Sequence, residues 1–258
     1  GTAIRKTRAQ MTITPATGDP IATEPYREAL AIGHKIANLR WADGKAIKNV
    51  NQEEFGREGA EDSGHAGFNY GMEPSWFRFK LPPNVPSGNA LQVPGYGSID
   101  NVQAFYANEL VRTEKNAIQA VPGVSAAGDP QTPVFRTTAG MPTRMHLLNG
   151  ASADRDGTFV LHGHVWQRDP FVCPAGAEDM SVGLTGRCDP SEYAPSQRLG
   201  LNPQGKYMGG EEGIGHVYGH WPILFDAGGT NAITGDYLFR DYAPNGNRNG
   251  MFGILRAE

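Results

Sequence analysis

Residues 158–167, TFVLHGHVWQ, carry the most regular signal in the chain. Aromatic and β-branched residues flank two histidines, His162 and His164, and apolar side chains recur at every second position. That period reads as a β-strand. Side chains alternate across a strand, so His-x-His sets both imidazoles on one face, about 6–7 Å apart along the chain. Phe159, Leu161 and Val165 then fall on the opposite face as core. Imidazole suits copper, zinc, iron and nickel, so the pair offers two metal ligands without closing a site. Two strand histidines satisfied by hydrogen bonds would show the same spacing.

The neighbouring segments repeat the pattern. Residues 132–151 read as strand, turn at Ala139-Gly140, strand, and HWPILFDA, AITGDYLFRDY and GMFGILRA follow near the C-terminal end. Short strands between Gly, Asn, Asp and Pro turns, with few helix signals, argue an all-β Greek-key sandwich. In residues 26–47, Ala29, Ala31, Gly33 and Lys35 alternate with Leu30, Ile32, His34 and Ile36, as in a half-buried strand. Glu28, Ala29, Leu30 and Ala31 also favour helix, so both readings stand there. The ADG at 42–44 offers a hairpin turn. Residues 1–23 lack periodicity and read as an arm or linker, which leaves 24–258 as one domain. Within it, residues 49–66 read as a solvated acidic loop. Residues 82–131, with scattered Pro and Gly and one helix-like piece (NVQAFYANELVRT), read as a long insertion of the kind that is usually functional or interface-forming.

Composition narrows the class. Among 258 residues there are 34 Gly and 19 Pro against 23 Lys and Arg, a turn-rich balance without low complexity. A net charge of −4 makes nucleic acid a poor partner. No apolar run approaches the roughly 18–20 residues of a membrane helix. Cys173 and Cys188 bracket a polar loop, where a disulfide is preferred over two free thiols and implies an oxidising compartment. No second cysteine pair exists to complete a zinc site. The chain opens GTAIRKTRAQ, without Met or an apolar signal core, and reads as a mature or proteolysed piece of something longer. No Gly-x-Ser-x-Gly elbow, Walker loop or dinucleotide fingerprint occurs.

Several blocks, taken in order, resemble the C-terminal cupredoxin domains of multicopper oxidases. DPQTPVFRTTAGMPTRMHLLNG is similar to the strand pair that leads to that family's histidine strand, and LHGHVW to the histidine strand itself. TGDYLFRDY and NGMFGILRA resemble its closing strand and Gly-Met segment. EDSGHAGFNYGMEPSWFRF resembles a block of the large bacterial, manganese-oxidase-like members. The resemblance covers residues 24–258 and implies a cupredoxin-type β-sandwich with long loop insertions, exported to the periplasm or the extracellular space. It implies copper as cofactor and other cupredoxin domains or chains of the same oxidase as partners.

Carried over residue by residue, the family's ligands are mostly missing. Its three alternate histidines fall at Val160, His162 and His164, the middle one a trinuclear-cluster ligand and the last a structural or outer-shell residue. The type 1 copper positions fall at Gly157, Asp241 and Gly246, and the axial methionine at Met251. Arg240, Asp241 and Tyr242 stand where the family has His-Cys-His. A type 1 centre needs two histidines and a cysteine thiolate, so this domain is expected to lack one, with His162 and His164 its remaining metal candidates. His216 and His220, four apart in GHVYGH, form a further metal candidate, against which the flanking glycines argue by disfavouring a helix. His34 reads as half-buried and His65 as solvated. His146, out of phase with Met145 and Leu147, is expected to face solvent or a neighbouring domain. The whole would pass electrons from a small reductant or a metal ion such as Mn(II) to dioxygen. The rival reading is a structural or assembly subunit that binds no metal.

Overall fold

Most of the period-two alternation among the described residues becomes strand. The computed structural model describes residues 10–17, 22, 24–36, 43–44, 65–69, 71, 73, 92–93, 97–98, 129–130, 132–149, 158–167, 207–212, 220–242 and 250–258. These residues form strands and no helix. In chain order they are β1 (Gln10–Ile13), β2 (Tyr26–Ile36), β3 (His65–Phe68), β4 (Gln92–Val93), β5 (Gly97–Ser98), β6 (Val134–Thr137) and β7 (Pro142–Asn149). Then come β8 (Thr158–Leu161), β9 (Trp166–Gln167), β10 (Tyr207–Met208), β11 (Glu211–Glu212), β12 (His220–Asp226), β13 (Gly235–Asp241) and β14 (Phe252–Ala257).

Two five-stranded sheets result, the first ordered β1-β2-β7-β12 with β3 also on β2, the second β11-β8-β13-β14-β6. Both are mixed: β2 and β7 run parallel, as do β6 and β14, and the other pairs are antiparallel. The chain passes from β6 in the second sheet to β7 in the first and back to β8, then again from β12 to β13. The all-β Greek-key sandwich expected from the sequence is thus the observed architecture. The turn at Ala139-Gly140 also forms, with Gly140 at φ 81°. It joins strands of different sheets, so it closes no hairpin.

The sheets bury their facing sides against each other. Ala29, Ala31, Met145, Leu147, Ile223 and Phe225 from the first meet Phe135, Phe159, Leu161, Phe239 and Leu255 from the second. Phe68 sets its ring edge-on to Phe159 and Phe239, with centroids 6.3 and 5.3 Å apart. β2 is a strand, which resolves the helix alternative, and it turns its small side inward. The reason is visible at Gly33, where a Cβ would come within 2.6 Å of Met251 Cε. The second sheet is buried on its other side too, through Val134, Leu238, Phe252 and Ile254. On that side Arg256 holds Asp236 (2.6 and 2.8 Å) and Asp129 (2.9 and 3.2 Å), an ion cluster that raises the Arg256 pKa, chiefly through Asp236.

Three expectations change. Residues 158–167 are not one strand: β8 stops at Leu161 and β9 begins at Trp166. Val165 consequently is 57% exposed, while Trp166 is buried in its place. Residues 10–13, inside the expected arm, form β1 and pair with β2. His65 begins β3, paired with Ile36, instead of sitting in a loop. The helix-like piece at 101–113 and most of the acidic loop lie outside the described residues.

Candidate functional site

The break after β8 decides where the two histidines go. His164 N–H donates to Leu161 O at 3.2 Å, and Gly163 between them has φ 75°. A four-residue turn with a positive φ only at its third residue matches type II, which favours glycine there. His162 and His164 therefore do not share a strand face. The sequence signal for this was Gly163 itself, outweighed by the alternation around it.

His162 stays beside β13, its N–H donating to Leu238 O at 2.9 Å. β8 and β13 are in register with Val160 opposite Arg240, which brings Arg240 to the histidine. Arg240 Nε–H donates to His162 Nε2 at 3.1 Å. The same guanidinium donates to Asp241 O at 3.1 Å and Tyr242 O at 3.4 Å and lies over the Tyr242 ring. Burial lowers the His162 pKa, and the Arg240 charge lowers it further. A neutral imidazole with its Nε2 lone pair turned to a fixed cation is the result.

His164 is 5% exposed and set edge-on between Phe225 and Tyr237. Its Nε2 accepts from Gly228 N–H at 3.0 Å, and its Nδ1 lies 3.1 Å from His162 O. A backbone N–H only donates and a carbonyl only accepts, so the ring is the neutral Nδ1–H tautomer with both nitrogens committed. Burial lowers its pKa.

Two of the degenerate type 1 positions do meet. Asp241 N–H donates to Met251 O across β13 and the start of β14. The Asp241 carboxylate accepts from Thr158 N–H at 3.1 Å, and Met251 packs into the core beside Gly33 and Phe68. Gly157, Gly246, His216, Cys173 and Cys188 lie outside the described residues, as does the expected disulfide. Copper does not fit the family's positions as described: the Nε2 lone pairs of His162 and His164 are both engaged, and no group of three His, Cys, Asp or Glu that could hold a metal ion gathers at either ring among the described residues.

His220 meets a partner on another strand. Ile223 and Phe225 of β12 point into the core, so His220 lies on the outer side of the first sheet, away from His164. There its Nε2 is 2.9 Å from Nδ1 of His146 on β7. His146 Nε2 bonds Glu28 on β2, and Arg144 Nε–H donates to both Glu28 oxygens at 3.0 and 3.1 Å. Burial alone would raise the Glu28 pKa; the bonds from His146 and Arg144 outweigh it and lower it. His146 is half-buried on the outer face, as its phase predicts, but the carboxylate behind it was not legible, because register between β2 and β7 is a tertiary property. His34 is more buried than expected, at 8% exposure, with Nδ1 3.2 Å from Ile32 O.

No family model matches the sequence, and no curated protein does. Among solved structures, the chain is similar to a multicopper oxidase at 10% identity and TM-score 0.36, covering 90% of this chain and 44% of the other. It is similar to Fet3p, a multicopper oxidase that functions in iron import, at 12% identity and TM-score 0.39, over 90% and 31%. A copper nitrite reductase from Nitrosomonas europaea follows at 11% identity and TM-score 0.38, over 90% and 48%. The chain spans less than half the length of each. What it can do chemically is decided by its own side chains.

Proposed function

We propose that this chain is a cupredoxin-type domain of a larger, exported multicopper-oxidase-like protein, serving there as scaffold and interface and holding no copper at the family's positions. The observation that carries the reading is the Arg240 guanidinium on His162 Nε2. A cation already faces the side chain that the resemblance would give to the metal, and a second cation beside it is disfavoured by Coulomb repulsion. Asp241, where a thiolate would be needed, instead caps the first backbone N–H of β8.

On this reading, electrons pass from a small reductant or a metal ion such as Mn(II) to dioxygen at centres in other domains. The partners of this chain are those cupredoxin domains or chains, in the periplasm or outside the cell. No helix is long and apolar enough to cross a membrane among the described residues. The test is copper loading followed by a chelator wash and metal analysis. The washed chain should retain no copper that depends on His162 and show no intense thiolate-to-copper absorption. One retained copper per chain, lost on His162→Ala, would overturn the reading.

A further inference from the structure

The outer side of the first sheet carries a side-chain arrangement that scaffolding does not use. An ionised carboxylate only accepts, so Glu28 fixes the proton of His146 on Nε2 and leaves the Nδ1 lone pair facing outward. That lone pair meets Nε2 of His220 at 2.9 Å. The two ring planes are 24° apart with centroids 5.1 Å apart, so the rings meet nitrogen to nitrogen, edge to edge, and do not overlap. His220 is exposed at the first residue of β12. Arg144 clamps Glu28 from the other side and reaches Tyr26 Oη at 3.3 Å.

We propose that His146 and His220 form a binding site for a borderline divalent cation such as Zn(II), with water completing the coordination. Two imidazole nitrogens bound to one tetrahedral zinc, each at about 2.0–2.1 Å, stand roughly 3.3 Å apart. The hydrogen bond between the rings, at 2.9 Å, holds the two nitrogens a few tenths of an ångström closer, so the ion replaces that bond as the rings part and tilt. Glu28 supplies the carboxylate that fixes tautomer and ring orientation behind a metal-binding histidine. Imidazole suits zinc, nickel and copper(II) and excludes a preference for magnesium or calcium. In binding, His220 shifts its proton from Nε2 to Nδ1, so that Nε2 faces the ion. The site is separate from His162, so it stands independently of the copper-free reading.

Zinc titration of the whole chain by calorimetry tests it, alongside His220→Ala, Glu28→Gln and His162→Gln, each checked for an unchanged circular dichroism spectrum. The expected result is one zinc per chain, abolished by His220→Ala, weakened about 10-fold by Glu28→Gln, and unchanged by His162→Gln. Should His146 variants prove poorly folded, the imidazole resonances of the unmodified chain give the same answer, because only those of His146 and His220 should move with added zinc. No binding at millimolar zinc, or binding indifferent to His220→Ala, overturns this inference and leaves the copper-free reading standing. Zinc lost with His162→Gln and kept with His220→Ala overturns both.

Discussion

Gly163 sits at φ 75° with the Tyr237 ring 3.2 Å from where a Cβ would be, and this one residue separates His162 from His164. A left-handed conformation costs a residue with a Cβ about 1–2 kcal/mol, and the tyrosine ring adds to it. Gly163→Ala should therefore lower the stability in urea by at least that amount; a variant as stable as the parent would show that the turn is not held as described. The histidines were legible as candidates because their residue type and place in the blocks were distinctive. Their fates were not legible, because Arg240 reaches His162 from another strand and Gly228 reaches His164 from a distant turn. Neither contact leaves a mark near residue 162.

At the scale of the element, β2 shows how a sheet edge is completed by a side chain. β1 pairs with its residues 26–29 and β3 with 33–36, leaving a gap between. Asn69, at φ 53°, fills it: Oδ1 accepts from Ile32 N–H at 2.8 Å, Nδ2 donates to Leu30 O at 2.7 Å, and its own N–H donates to Ile32 O at 2.9 Å. The amide replaces a missing strand. Asn69→Gly keeps the backbone conformation accessible and removes only the side-chain bonds, leaving backbone groups of β2 without partners. Its expected cost is about 1–3 kcal/mol per buried group left unsatisfied, read from the denaturation midpoint. A change of a few tenths would mean that water takes over the role. Nothing in FNYG announces this, since an Asn before a turn commonly serves its own loop.

For the whole molecule, histidines shape the response to acid. Among the described residues His34, His162, His164 and His220 have lowered pKa values, in each case first through burial. Unfolded, they take up protons near the ordinary value of about 6.5; folded, they stay neutral to lower pH. The unfolded chain thus binds more protons once the pH drops below about 6.5, and stability falls with it. The contribution of these groups is fully present above that pH and is lost as the pH falls through their folded values. Glu28 acts in the same direction, but only below its ordinary value of 4.5. Urea midpoints should therefore decline between pH 7 and pH 5, with Asp226, whose pKa burial raises, the one described carboxylate that opposes the trend. A flat or rising midpoint across that window would contradict the neutral state of these rings.

The sequence by itself determined the fold class and the strands of the C-terminal half, because period-two alternation and turn residues are local properties of the chain. Tertiary structure alone decided which groups each histidine meets. Arg240 against His162, and Glu28 behind His146 facing His220, depend on strand order and register. Those are fixed by how two sheets pack their aromatic and small residues together, and no single segment encodes them.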